Sequence, residues 1–125
     1  MSLESDTSNS PSPCIVSADW QDRTVIIRCV GVLDMLTSPQ LDREIATALD
    51  KQPSSLIVDL SRVDFLASCG MSSLISCHDQ CTSSAVRFAV VADGPATSRP
   101  MELIGLTEIL DVRPTVEEAL GDKVA

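Results

Sequence analysis

The near-continuous apolar run from Leu56 to Leu60 is the feature that most constrains the fold of this chain. A strand with one face in water alternates apolar and polar residues, whereas a strand covered on both faces has no need to alternate. The run therefore predicts a central strand with other elements packed on both of its faces. A polar loop follows, and then a small-residue turn opens a predicted helix at Ser68. We expect any chemistry of the chain to lie at this turn, on Ser68 or Cys69.

Strand-like and helix-like patterns alternate along the chain in the order ββαβαβαβα. Two β-branched runs joined by a polar turn at 21–23 predict an antiparallel hairpin at the start. The sequence Thr-Ser-Pro at 37–39 is a helix-start signal, and Thr115 with Glu118 has the spacing of a capping box. The alternation predicts an α/β domain with a mostly parallel sheet of four to five strands. The predicted strands are 14–16, 24–30, 56–60, 86–91 and 109–112, with helices that begin at about 38, 68, 98 and 116.

The length of 125 residues and an apolar content of 44% fit a single domain with one core. We assign this domain to residues 14–120. Residues 1–13 are rich in Ser, Pro and acidic groups and lack apolar periodicity, so a disordered N-terminal tail is expected there. Residues 121–125 follow the last predicted helix and are expected to form a frayed C-terminus.

Composition argues against several classes of function. Nine basic against eighteen acidic residues give a net charge of −9, which disfavours contact with nucleic-acid phosphates or an anionic bilayer. Two Phe, one Trp and no Tyr make a stacking platform for bases unfavourable. The N-terminus has no signal-peptide pattern, and no apolar stretch approaches the length of a membrane span. We therefore expect a cytoplasmic protein with reduced cysteines and no DNA, RNA or membrane partner.

Four stretches resemble the STAS domain, the fold of bacterial anti-sigma factor antagonists. Gly-Val-Leu-Asp at 31–34 is similar to the family's Gly-x-Leu-Asp, and 56–65 is similar to its central strand and the loop that follows. Ala-Ser-Cys-Gly-Met at 67–71 lies where the family typically has Asp-Ser-Ser/Thr-Gly-Leu. Residues 104–106 and 112–120 resemble the C-terminal signature. The four motifs occur in the family's order and spacing, and the resemblance covers essentially the whole predicted domain.

The resemblance implies a phosphorylation switch at Ser68. In this family the serine at that position is phosphorylated by the anti-sigma factor, which is itself a serine kinase. The unphosphorylated antagonist binds the anti-sigma factor and frees the sigma factor, whereas the phosphorylated form cannot bind. Carried over to this chain, Ser68 is the phosphoacceptor and the chain is not an enzyme. The alternative from the residues alone is that Ser68 is simply a helix N-cap.

One residue departs from the family pattern. Ala67 stands where the family has an acidic residue before the phosphoacceptor, whereas Asp34 of the Gly-x-Leu-Asp motif is retained. The missing carboxylate keeps a second hypothesis open. On that hypothesis the chain is a STAS-fold accessory protein of another system, such as a transport subunit or a stress-complex component, without a phosphoswitch.

The resemblance also implies a partner surface over the start of the Ser68 helix and the loops beside it. Met35, Leu36 and Met71 are the apolar side chains expected to be exposed there, with ordinary packing as the alternative. The Asp93–Gly94 turn is expected nearby. The residues predicted to bind the partner are Asp34, Met35, Leu36, Ala67, Ser68, Cys69, Gly70, Met71 and Ser72.

The cysteines suggest further chemistry, weighed against ordinary packing. Cys69 is a candidate redox site, because a thiol at a helix N-terminus is more nucleophilic; the alternative is a small, partly buried residue. Cys77, His78 and Cys81 share one helix, but a zinc site normally needs further ligands, so core packing is expected. His78 lies too far along the helix to act as a base for Ser68. No catalytic residue, cofactor or metal is therefore expected.

Overall fold

The computed structural model describes residues 14–121. The tail predicted at 1–13 lies outside the described residues, and so do residues 122–125 of the expected C-terminal fray. Gly121, the first residue of that expected fray, is the last residue of a helix.

Strands and helices follow one another in the predicted order within the described residues. A 3-10 helix, Leu106–Glu108, lies between the third α-helix and the last strand. None of the helices in this part of the chain is long and apolar enough to cross a membrane. The elements are β1 Cys14–Gln21, β2 Thr24–Leu33, α1 Ser38–Asp50, β3 Ser55–Leu66, α2 Ser68–Ser83, β4 Arg87–Val91, α3 Ser98–Leu103, β5 Val112–Arg113 and α4 Val116–Gly121.

The strands form one five-stranded sheet in the order β1-β2-β3-β4-β5. β1 and β2 are antiparallel and are joined by a tight turn at Asp22 and Arg23, whereas all other neighbouring pairs are parallel. This arrangement confirms the predicted α/β fold with its N-terminal hairpin. β3 is the middle strand, so the apolar run that begins at Leu56 is central, as predicted.

The sheet separates two apolar clusters of unequal size. On one face, Ile27 and Val58 belong to a large cluster that includes the inner sides of α1 and α2. On the other face, Ile26 and Ile57 pack with Ala119 of α4 in a smaller cluster. Because successive residues of β2 and β3 enter opposite clusters, both faces of the central strands are covered. This explains why the apolar run in β3 does not alternate with polar residues.

β3 is longer than the sequence predicts, because two bulges interrupt its side-chain alternation. The predicted strand ends at Leu60, whereas the observed strand continues to Leu66. The register with β2 shifts after Arg28 and again after Gly31, and each shift places one extra residue in β3. The buried residues Leu60, Val63 and Leu66 are therefore three apart instead of two.

The two ends of the domain also differ from prediction. β1 runs to Gln21 instead of ending near residue 16. β5 contains only Val112–Arg113, and Ile109, predicted to begin this strand, is exposed where the 3-10 helix ends. At α4, the amide of Glu118 donates a hydrogen bond to Thr115 Oγ1 at 3.1 Å. That bond is one of the two that a capping box makes, so the cap predicted from the sequence is formed in part.

Candidate functional site

The carboxyl ends of β2 and β3 lie side by side and set the position of the candidate site. Leu33 and Leu66, the last residues of these strands, are register partners. One residue further on, the amide of Ala67 donates a hydrogen bond to the carbonyl oxygen of Leu33 at 2.9 Å. The loop at 34–37 therefore leaves β2 next to the first turn of α2. The fold thus brings together the two sequence-distant halves of the predicted partner surface.

Hydrogen bonds between Asp34 and Thr37 shape the loop after β2. The Oδ1 atom of Asp34 accepts hydrogen bonds from the amides of Leu36 at 3.0 Å and Thr37 at 3.2 Å. The buried hydroxyl of Thr37 accepts from the amide of Asp34 at 2.8 Å and donates to the carbonyl of Val32 at 2.7 Å. Thr37 occupies the N-cap position of α1, but its hydroxyl does not cap the helix amides. The hydroxyl forms its hydrogen bonds within the loop instead.

This loop presents two apolar side chains to solvent. Met35 is 73% exposed and Leu36 is 78% exposed. Large apolar side chains with this exposure, held on an ordered loop, mark a surface that another molecule can cover. The exposure expected for these two residues is confirmed.

Ser68 is the first residue of α2, and its side chain is exposed. The N-cap position belongs to Ala67, which has extended backbone angles and no side chain able to cap the helix. The interpretation of Ser68 as a simple N-cap is therefore wrong. The first backbone amides of an α-helix lack intrahelical partners, and the helix dipole adds partial positive charge there. A phosphate on the Ser68 hydroxyl would lie close to these amides.

Gly70 and Met71 are buried, which corrects their place in the predicted partner surface. Met71 is 9% exposed and packs in the large apolar cluster, so the expectation that it is an exposed apolar residue is wrong. A Cβ added at Gly70 would lie 2.8 Å from Leu66 Cδ1 and 3.1 Å from Leu33 Cγ. Both residues attach α2 to the sheet. The exposed part of the helix start is formed by Ser68 and Ser72, with Ala67 and Cys69 half-buried.

A groove between α1 and α2 begins at Cys69, the residue after Ser68. We call it the α1–α2 groove, and its volume is about 550 Å³. Among the described residues that line it, Asp42 is the one charged side chain, and no Lys or Arg is present. Its walls include Met35, Ser38 and Asp42 on one side, and Cys69, Ser72 and Ser76 of α2 on the other.

The buried cysteines of α2 pack in the core. The Sγ atoms of Cys77 and Cys81 are 3.9 Å apart, and both residues are fully buried. The hydrogen bond with Cys81, together with burial, raises the pKa of the Cys77 thiol above its ordinary value. His78 is half-buried, with its ring 6.4 Å from that of Phe88. Within residues 14–121, no three His, Cys, Asp or Glu side chains are grouped as metal ligands.

The Asp93–Gly94 turn does not line the α1–α2 groove. The hydroxyl of Ser98 accepts a hydrogen bond from the amide of Gly94 at 2.8 Å and donates one to its carbonyl at 3.1 Å. With Arg99, these residues line a separate cavity of about 260 Å³ that shares no lining residue with the groove. The turn is therefore not brought into the groove next to α2.

The structure defines an α/β scaffold that presents one helix N-terminus, an exposed serine and an apolar loop on the same edge. The chain belongs to the STAS domain family, because the model of the STAS domain matches residues 16–119.

Relatives with known names or structures resemble the chain over most of its length. It is 30% identical over 112 residues to the anti-sigma-F factor antagonist RsfB of Mycobacterium tuberculosis, covering 90% of this chain and 91% of RsfB. A crystal structure of an anti-sigma factor antagonist from Mycobacterium paratuberculosis is 33% identical, with a TM-score of 0.84, over 90% of this chain and 96% of that one. The structure of the anti-sigma factor antagonist SpoIIAA in its unphosphorylated form is 25% identical to this chain, with a TM-score of 0.73. The match covers 88% of this chain and 96% of SpoIIAA.

The sequence predictions missed the residues of α1 that face α2. Ser38 and Asp42 lie four residues apart on α1, and Cys69, Ser72 and Ser76 recur at intervals of three and four on α2. Such spacing places each set on one helix face. Two polar faces with helical spacing were therefore visible in the sequence. Their juxtaposition was not, because it depends on how the two helices pack.

Proposed function

We propose that this chain is an anti-sigma factor antagonist. It binds an anti-sigma factor through the start of α2 and the loop at 34–37, and so frees a sigma factor to promote transcription. The anti-sigma factor is a serine kinase that phosphorylates Ser68 and thereby abolishes binding. The observation that carries this proposal is an exposed serine at the first position of α2 beside two exposed apolar side chains. Relatives 30% and 33% identical over 90% of the chain are named as antagonists of this kind.

The exposed apolar loop supplies the contact that holds the partner. Met35 and Leu36 project from a loop held by internal hydrogen bonds, so binding orders little backbone. Burial of such side chains contributes roughly 25 cal/mol for each Å² of apolar surface removed from water. The half-buried Asp34, which follows β2 directly, forms a polar rim next to them. An apolar centre with a polar rim is the usual composition of a specific protein interface.

A phosphate at Ser68 would oppose binding without unfolding the domain. The helix N-terminus favours negative charge, so modification leaves α2 intact. The phosphate adds about −1.5 to −2 charges to a surface fitted to the unmodified side chain, and each ~1.4 kcal/mol of resulting penalty weakens binding tenfold. The chain already carries a net charge of −9, which favours a partner with a basic surface. SpoIIAA is known in unphosphorylated and phosphorylated forms, which is consistent with a switch of this type.

The chain works by binding, not by catalysis, in the cytoplasm and without a cofactor. Ser68 is then the target of the partner's kinase activity. DNA, RNA and membranes are not partners, because net negative charge repels phosphates. Ala67 leaves the phosphoacceptor without the acidic neighbour of the family pattern, and phosphorylation is therefore the step that most needs a direct test.

The test mixes the full chain with candidate anti-sigma factors, ATP and Mg²⁺, and measures both binding and phosphate on Ser68 by peptide mass spectrometry. We expect one partner to bind the unmodified chain, to transfer phosphate to Ser68 and then to dissociate. Ser68→Glu should weaken binding at least tenfold. Ser84→Glu, at an exposed residue just past the other end of α2, is the matched control and should bind like the parent.

Two results separate the hypotheses. Binding without phosphate on Ser68, together with normal binding by Ser68→Glu, would remove the switch and leave the antagonist role. Failure to bind any candidate anti-sigma factor would contradict the antagonist role and favour the accessory protein of another system.

A further inference from the structure

We infer that the α1–α2 groove receives a basic side chain, Lys or Arg, of the bound anti-sigma factor, with Asp42 and Ser38 as its ligands. This inference rests on the proposed function and extends the partner surface from the start of α2 into the groove. It adds a charge-selective contact to the apolar contact made by Met35 and Leu36.

The hydroxyl of Ser38 is the first observation. Ser38 is 4% exposed and lines the groove, yet its Oγ atom has no hydrogen-bond partner among the described residues. A buried hydroxyl without a partner costs on the order of 1–3 kcal/mol, so its lone pairs are a strong site for a donor. Lys and Arg side chains carry only donors.

The carboxylate of Asp42 is the second observation. Asp42 follows Ser38 by four residues on α1, so the two side chains lie one turn apart on the same helix face. It makes no ion pair with any described residue and is exposed to solvent. Because the described lining contains no basic residue, the groove presents an uncompensated negative charge next to an unpaired acceptor. A cation with several donors satisfies both.

The position of the groove ties it to the partner surface. Met35, Cys69 and Ser72 line the groove and also belong to the predicted partner-binding residues. Ser72 lies one turn beyond Ser68, about 6 Å along the helix. A partner seated over Ser68 and Met35 therefore reaches the mouth of the groove without a further change of shape. The exposed hydroxyl of Ser76, one turn beyond Ser72 on the same wall, accepts a hydrogen bond from Gln80 Nε2 at 3.2 Å and can accept a second.

The test uses an anti-sigma factor that binds the parent chain and compares four full-length variants. Asp42→Asn should weaken binding about tenfold or more, and should reduce the loss of affinity between low and high salt. Asp42→Lys should weaken binding further, and Ser38→Ala should weaken it several-fold. Asp50→Asn makes the same charge change at an exposed residue of the same helix and should bind within about twofold of the parent.

The outcomes distinguish this inference from the proposed function. If the parent binds and Asp42→Asn matches Asp50→Asn in affinity and salt dependence, the groove takes no basic side chain and the antagonist role stands. If the parent binds no anti-sigma factor, both fail. Unfolding midpoints in urea that are no lower for the four variants than for the parent show that a loss of affinity does not come from a loss of folding.

Discussion

Asp34 and Thr37 hold each other in place across the loop that ends β2. The amide of Asp34 donates to Thr37 Oγ1 at 2.8 Å, and the amide of Thr37 donates to Asp34 Oδ1 at 3.2 Å. The same hydroxyl donates to the carbonyl of Val32, so one buried side chain ties together backbone groups on both sides of the turn. The exposed Met35 and Leu36 are therefore carried on an ordered support. Their orientation depends on a threonine that is itself buried.

Replacement of this hydroxyl should destabilise the domain. Thr37→Val keeps the volume but removes the hydrogen bonds of the hydroxyl to the part-buried amide of Asp34 and carbonyl of Val32, which should lower the free energy of unfolding by about 1–3 kcal/mol. The hydroxyl of Thr82 also donates a hydrogen bond to a carbonyl, that of His78 at 2.9 Å, but this side chain is exposed. Thr82→Val is therefore the control and should change the free energy of unfolding by less than about 0.5 kcal/mol. Urea denaturation measures both. Equal effects of the two changes would contradict the role of the buried hydroxyl.

Gly70→Ala should destabilise the attachment of α2. The new methyl group would overlap Leu66 Cδ1 at 2.8 Å and crowd Leu33, and overpacking of this kind costs about 1–3 kcal/mol. The better helix propensity of Ala offsets at most about 1 kcal/mol of that cost. Gly121→Ala is the control, because no atom of the described residues lies within 4 Å of its added Cβ, and it should be neutral or slightly stabilising. An unchanged unfolding midpoint for Gly70→Ala would show that α2 shifts freely.

Ser68 should be nearly irrelevant to stability. Because the N-cap is Ala67 and the Ser68 side chain is exposed, Ser68→Ala should change the free energy of unfolding by less than about 0.5 kcal/mol. Ser68→Asp should stabilise by about 0.3–1 kcal/mol at low salt, through the helix dipole, and lose this gain at high salt. Denaturation at two salt concentrations measures both effects. A loss of about 1 kcal/mol or more in Ser68→Ala would restore the N-cap interpretation.

The cysteines should differ sharply in reactivity. Cys69 is half-buried beside the groove, whereas Cys29, Cys77 and Cys81 are buried. The thiolate is the nucleophile, and the raised pKa of Cys77 keeps that side chain protonated at alkaline pH where an ordinary thiol ionises. With iodoacetamide at pH 8 to 9, peptide mass spectrometry should find Cys69 modified well before Cys29, Cys77 and Cys81. Modification of Cys77 at the rate of Cys69 would contradict the packing of α2.

The order of elements and the start of α2 were predictable because they depend on local patterns. The β-branched runs of the hairpin, the apolar stripe of α1 and the small-residue turn at Ser68 each carry their own signal over a few residues. In α2, the apolar residues Met71, Leu74 and Cys81 recur at intervals of three and seven, and all three are buried. These signals arise from backbone geometry and burial within single elements, so no knowledge of distant contacts is needed.

The features that were missed depend on pairing between elements. The sequence predicts an end of β3 at Leu60, because bulges opposite β2 space its buried residues three apart and break the period of two. Met71 was expected to be exposed, with ordinary packing as the alternative, and only the packing of α2 decides between the two. The unpartnered hydroxyl of Ser38 arises where α1 meets α2. No local pattern encodes such a juxtaposition.

The absence of a side chain at Gly70 has a consequence for how chains of this kind diversify. Because the first turn of α2 rests directly on Leu33 and Leu66, the interior that supports the proposed contact surface is separate from the exposed residues that would form it. After a gene duplication, the outward positions 35, 36 and 72 can change while the support stays intact. Two duplicated proteins in one cell can then acquire different partners through a few surface substitutions. Neither protein would bind the partner of the other, although both keep the same fold.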